Sequence, residues 1–241
     1  MRTALVTGAA GGMGTAISSA LVEQGCRVVL VDRDETALTA LCKRLGDQTF
    51  PWVLDITDGP RVDELPGCLP AAFRDIDILV NNAGHDVGGR KRFDQGSADD
   101  WADIIQTNLI GLMRVTRSLL PGMVSRNRGD VVNMGSISAL RMVPDMAPYS
   151  ASKAGVHMLT DIIRGELAQT GVRVTEILPG LTRTGIVRSR YRGDVEQEKE
   201  YFDQFGMALD PQDVARSVMF ALNQPPDVQV AQIVILPANR W

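Results

Sequence analysis

The chain has 241 residues, 44% of them hydrophobic, and a formal net charge of −4. That length suits one α/β domain with a large core, and the apolar content excludes a disordered chain. A slightly acidic balance leaves no electrostatic footprint for nucleic acid, and no apolar run approaches a membrane span, so neither is expected as a partner.

The chain enters an apolar run, Ala4-Leu5-Val6, without a signal-peptide layout. Cys26, Cys42 and Cys68 cannot all pair and form no C-x-x-C, which fits a reducing, cytoplasmic setting. After the first run comes Thr7-Gly8-Ala9-Ala10-Gly11-Gly12-Met13-Gly14, followed by the helical pattern of Ile17, Ala20 and Leu21. Strand, glycine turn and helix is a setting for a dinucleotide. Gly8 allows the turn, Gly12 admits the pyrophosphate and Gly14 lets helix pack on strand, with Gly11 and Met13 between them. The spacing is G-x-x-x-G-x-G, and an ordinary glycine-rich turn would read the same way, so other features must support it.

Apolar runs at 4–6, 28–31, 49–54, 76–80, 130–134, 172–178 and 230–236 alternate with helical patterns. One helix is expected over 98–124, with Trp101, Ile104, Ile105, Leu109, Leu112, Val115 and Leu119 on its apolar side. The alternation predicts a single-domain α/β Rossmann fold spanning 1–241, a doubly wound, parallel, seven-stranded sheet with helices on both faces. The second run ends in Val31-Asp32-Arg33-Asp34. An acid about 20 residues past the glycine turn is placed to accept from both ribose hydroxyls and to repel a 2′-phosphate. Asp32 therefore points to NAD rather than NADP, while the adjacent Arg33 is a ready phosphate ligand. Asp32 or Asp34 could instead cap the following helix.

The third run ends at Asp55-Ile56 and the fourth at Asn81-Asn82-Ala83-Gly84, both at carboxyl ends of strands, where open α/β sheets bind ligands. Ser136 follows the fifth run. Tyr149 and Lys153 are four residues apart after Ala147-Pro148, which puts them on one face in the first turns of a helix. Each of these is commonplace alone. In this order, with Asn108 and Pro179-Gly180, the set resembles the short-chain dehydrogenase/reductase family in its compact single-domain branch.

The resemblance implies an enzyme that moves a hydride between a nicotinamide cofactor and a small secondary alcohol or ketone. Asn108, Ser136, Tyr149 and Lys153 would be catalytic, with Asn108 holding a water that links Lys153 to solvent. Asp55 and Ile56 would flank the adenine. Asn81, Asn82, Ala83 and Gly84 would support the middle of the cofactor, and Pro179, Gly180, Thr182 and Thr184 would surround the nicotinamide amide and phosphates. Ser136 and Tyr149 would hold the substrate oxygen. A tyrosine of pKa ~10 needs a neighbouring ammonium to act as a base near neutrality. No metal cluster is seen, and His85 and His157 read as a loop and a helix-surface histidine.

The stretch Met113 to Asn127, Glu176 to Leu181, Arg190-Tyr191-Arg192-Gly193-Asp194 and Ile235-Leu236-Pro237 are similar to the serine/3-hydroxy acid dehydrogenase group. That group generally uses NADP, and the loop His85 to Lys91 departs from it. The polar stretch 182–205 reads as a substrate lid. It carries Arg183, Arg188, Arg190 and Arg192, at least two of which should pair with Asp194, Glu196, Glu198 or Glu200. Arg190, then Arg188, is the expected contact for a substrate anion. The substrate expected is a small 3-hydroxy acid or a related hydroxy or amino alcohol. A ketone or 3-oxoacyl reductase, or a cofactor-binding sensor without turnover, is the alternative. The family's helix pairing implies a homotetramer.

Overall fold

The computed structural model describes residues 1–238. Its first strand, β1 (Thr3–Thr7), is fully buried and runs into the glycine turn and α1 (Gly12–Glu23). Then follow β2 (Arg27–Asp32), α2 (Glu35–Leu45), β3 (Thr49–Val53), α3 (Gly59–Cys68) and β4 (Ile78–Asn81). Asp34, not Asp32, caps α2, accepting from the Ala37 N–H at 2.9 Å. The second half holds α4 (Ala98–Ile105), α5 (Leu112–Ser125), β5 (Gly129–Met134), α6 (Ala147–Glu166) and β6 (Val172–Pro179). It closes with α7 (Gly185–Arg190), α8 (Val195–Phe205), α9 (Pro211–Leu222) and β7 (Gln232–Ile235).

The described strands form one parallel sheet of seven, ordered β3-β2-β1-β4-β5-β6-β7. The expected fold class is the observed one. Strand side chains alternate between faces. Ala4 and Val6 meet Ile17 and Leu21 of α1 and Val214 and Val218 of α9. Leu5 belongs to the opposite face, with Val62 and Leu65 of α3 and Val115 and Met123 of α5. Register sets Leu5, Val29, Leu79, Val131 and Val174 in one row across the sheet. Burial of each such aliphatic side chain stabilises by about 1.5–3 kcal/mol. Strand order reverses between β1 and β4, which opens a crevice at the carboxyl ends there.

The helix expected over 98–124 is not continuous. Residues Gln106–Gly111 form a π turn between α4 and α5. A wider turn rotates the residues that follow it, and such bulges gather at functional sites. Here it carries Asn108, whose side chain is completely buried. The stretch 182–205 contains two helices, α7 and α8, rather than an extended loop.

Candidate active site

A cleft of about 450 Å³ lies over the crevice, lined by the glycine turn, the ends of β2 and β4, and the start of α6. The glycines build its floor. Gly8 has φ +63°, which L side chains rarely adopt. A β-carbon on Gly14 would lie 2.0 Å from the Gly8 carbonyl oxygen, so only glycine lets α1 start this close to the turn. Asn82 ties β4 to the turn, donating from Nδ2 to the Thr7 and Gly8 carbonyls at 3.0 Å. Gly8, Gly11, Gly12, Met13, Asp32, Arg33, Asp55, Ile56, Asn82, Ala83 and Gly84 all line the cleft, as expected for cofactor residues.

Some expected residues stand elsewhere. Asn81 points into the core, where it donates to Thr116 and Asn133 at 2.8 Å. Pro179, Gly180 and Thr182 are not among the lining residues, and the Thr182 hydroxyl donates to the Gly180 carbonyl. The wall on that side is Thr184, Gly185, Ile186 and Ser189. The backbone after β6 turns away through the bridge between Thr182 and Leu209, a pairing that sequence spacing does not reveal. His85, read as a loop histidine, lines the cleft with its ring 3.1 Å from the Thr107 hydroxyl. Burial, then the charge of Arg33, lowers its pKa.

A dinucleotide fits these residues. Two buried polar atoms at the cleft, Thr184 Oγ1 and Asn82 Oδ1, have no partner within the protein. A β-carbon on Gly12 would crowd the Thr184 side chain at 3.3 Å, so turn and wall approach closely there. Asp55 is more acidic than usual: burial opposes its charge, but the Thr57 N–H and hydroxyl and the Arg33 guanidinium outweigh burial.

Asp32 is committed within the protein. Its Oδ2 accepts from the Ala10 N–H at 3.0 Å and its Oδ1 from the Asp34 N–H at 3.1 Å. The carboxylate holds the glycine turn and the start of α2. Arg33 is 71% exposed at the cleft rim, 3.9 Å from Asp55.

Tyr149 and Lys153 occupy successive turns of α6, as the spacing predicts. Lys153 donates from Nζ to the Met134 carbonyl at the end of β5, 2.8 Å away. Burial lowers its pKa to about 8, with the Glu176 charge opposing. Burial pushes the Tyr149 hydroxyl up to about 12, Asp86 adds to the rise, and a hydrogen bond with Ser136 and the Arg190 charge oppose it. Ser136 also accepts from the Ser138 N–H and pairs with its hydroxyl at 2.9 Å. Asn108 accepts from the His85 N–H and donates to the His85 carbonyl and the Ser152 hydroxyl, so it pins the loop after β4 to α6. This cluster can hold a reacting oxygen and take up or return its proton.

The lid arginines divide. Arg188 pairs with Glu198 at 2.8 Å, within the expected set of acids. Arg192 bonds Asp100 of α4, and Arg183 lies over the Phe202 ring. Arg190 is 5% exposed and bonds Asp86, itself 3% exposed, at 2.7 Å. It also lies over the Tyr201 ring, and its Nη1 is buried without a partner. Sequence reasoning missed Asp86 and Tyr201. Asp86 and Arg190 are 104 residues apart, and only the departure of the loop after Gly84 from the resembled group hinted at the pairing. Among the described residues no group of three or more potential metal ligands gathers, and no helix is long and apolar enough to cross a membrane.

The short chain dehydrogenase family model matches residues 2–194. The NADP-dependent 3-hydroxy acid dehydrogenase YdfG of Salmonella typhi is 36% identical over 237 residues, 98% of this chain and 95% of that protein. A closed form of serine dehydrogenase complexed with NADP+ superposes with TM-score 0.94 at 35% identity, covering 97% of this chain and 94% of the other. An actinorhodin polyketide ketoreductase variant with NADPH gives 0.87 at 32% identity, covering 98% and 95%. These relatives overturn the expectation of NAD drawn from Asp32 and favour NADP. The physical reason is that both Asp32 oxygens already bond backbone N–H groups, while the Arg33 guanidinium stands at the rim.

Proposed function

The chain belongs to the short chain dehydrogenase family and is a hydride-transferring oxidoreductase of hydroxy substrates, and from that premise we propose that it oxidises a small 3-hydroxy acid with NADP. The observation that carries this reading is the Ser136–Tyr149–Lys153 cluster beside the buried Arg190.

When bound, the nicotinamide supplies the hydride chemistry. The cleft residues named above would hold it, with Arg33 at the 2′-phosphate and Thr184 and Asn82 offering their unpartnered oxygens. The protein handles position and proton. Ser136 and Tyr149 grip the substrate oxygen. Tyr149 takes the alcohol proton in oxidation and returns it in reduction. The Lys153 ammonium stabilises the phenolate, lowering a pKa that burial alone raises. Alcohol oxidation therefore speeds up as pH rises through the Tyr149 pKa, and ketone reduction slows.

Arg190 offers its free Nη1 to the substrate carboxylate. Helices α7 and α8 act as the lid over this point, as part of one catalytic domain. A homotetramer is supported by two apolar surfaces. One is Ile110 and Met113 with Met158 and Ile162; the other is Met207 and Phe220 with Val234 of β7. Free Cys26, Cys42 and Cys68 suit a reducing cytoplasm.

The test compares Arg190→Ala with the unmodified enzyme on two substrates, a 3-hydroxy acid and a neutral secondary alcohol of equal size. The variant also leaves Asp86 buried and unpaired, so the ratio between substrates is the readout. KM for the acid should rise by about tenfold or more, the value of a charged hydrogen bond, with the neutral alcohol little changed. An equal effect on both would exclude the anion contact.

A further inference from the structure

Glu176 is fully buried in β6, and nothing in the proton handling described above uses it directly. Its Oε2 accepts from His157 Nδ1 at 2.7 Å, while its Oε1 has no partner. An unpartnered buried carboxylate oxygen is costly, so its position calls for a compensating charge. The surroundings supply one. A β-carbon on Gly135 would lie 2.3 Å from Oε1, so the carboxylate rests directly against this glycine. The preceding carbonyl, Met134, accepts from Lys153 Nζ. Carboxylate and ammonium thus sit against one peptide unit, Met134–Gly135, at the end of β5. On α6, Tyr149, Lys153 and His157 follow at intervals of four, one stripe facing this strand end.

We propose that Glu176, clamped by His157, is a positioning residue that holds Lys153 as an ammonium beside Tyr149. The proposal rests on the reading that Tyr149 and Lys153 carry the proton. Burial alone favours a neutral lysine, and the buried negative charge opposes that. The groups acting on Glu176 come mainly from α6: Lys153, His157, Asp161 and Arg164, the last two paired with each other at 2.6 Å. From β7 the uncharged Gln232 amide lies 3.4 Å from His157 Nδ1. Gly135 is required for the arrangement, since a side chain there would displace the carboxylate.

The test follows the Lys153 ε-carbon NMR shift during a pH titration of the cofactor-free protein. Glu176→Gln should lower the Lys153 midpoint by about one pH unit, a tenfold change in the ammonium-to-amine ratio. Glu176→Asp, which keeps the charge, should recover most of it. An unchanged midpoint in Glu176→Gln overturns the proposal. If that variant does not fold, His157→Arg serves, because a fixed cation against the carboxylate cancels its charge and must also lower the midpoint; no shift there overturns the proposal equally. In turnover, the alkaline limb of the kcat profile should move down with the Lys153 midpoint. A loss of activity uniform across pH would mark a merely structural role and overturn the positioning claim. The titration needs neither cofactor nor substrate, so it succeeds or fails independently of the Tyr149→Phe result.

Discussion

The half of the site around β1, β2 and β4 and the half around β5, α6 and α7 are built by different means. The first uses backbone: a left-handed Gly8, a Gly14 that tolerates no β-carbon, and an Asp32 whose oxygens both accept from main-chain N–H groups. The second uses buried side-chain charges: Lys153 with Glu176 on one side of Tyr149, Asp86 with Arg190 on the other. Backbone geometry is either present or lost. Buried charges can be tuned singly, each altering proton affinity or substrate preference without changing the fold. A cofactor common to many enzymes suits the first construction, and a particular substrate suits the second.

Breaking the backbone half should have the largest consequence. Gly14→Ala places a methyl group against the Gly8 carbonyl, where no flexible side chain can yield. A destabilisation of about 3 kcal/mol, the upper part of the overpacking range, is expected by denaturant titration. Cofactor binding should fall with it. Native stability in this variant would mean that the turn relaxes easily and that the two halves are less distinct than described.

Arg33→Ala sharpens the cofactor reading. Arg33 is the exposed cation of the nucleotide half, so its loss should raise KM for NADP by about tenfold, in line with a charge-assisted hydrogen bond, and leave NAD nearly unaffected. Equal loss for both cofactors would remove Arg33 from 2′-phosphate recognition.

The two halves also differed in how far the sequence revealed them. The glycine turn, Asn82 and the Tyr149–Lys153 pair were legible because local spacing sets their geometry: a turn, a strand end, one helix face. The parallel sheet was legible from alternation. Asp32 misled because its type and position suit a ribose, whereas its oxygens are taken by two N–H groups that only the folded turn brings near. The π turn around Asn108 left the helical hydrophobic pattern intact, so periodicity did not betray it. Asp86 and Arg190 meet across 104 residues, and Glu176 meets His157 across a helix and a strand. No spacing encodes such pairs, and they make up most of what was missed in the substrate half.

Asp86→Asn probes the finest adjustment in that half. The Asp86 charge raises the Tyr149 pKa, so its removal should lower it. The acid limb of alcohol oxidation should then move to lower pH by a fraction of a unit, read from the pH dependence of kcat. A shift to higher pH would mean that the released Arg190 is not the neighbour that stabilises the phenolate.

The central claim is that Tyr149 moves the proton in a cleft whose cofactor-binding half is separately built. Tyr149→Phe removes one hydroxyl and nothing else. Measured together, NADP binding by calorimetry and turnover of a 3-hydroxy acid should part company. Affinity should be largely preserved, while kcat falls about 10²–10⁴-fold, the usual contribution of an acid–base group. Turnover within a few-fold of the unmodified enzyme, with affinity intact, would contradict the account and require another group to carry the proton.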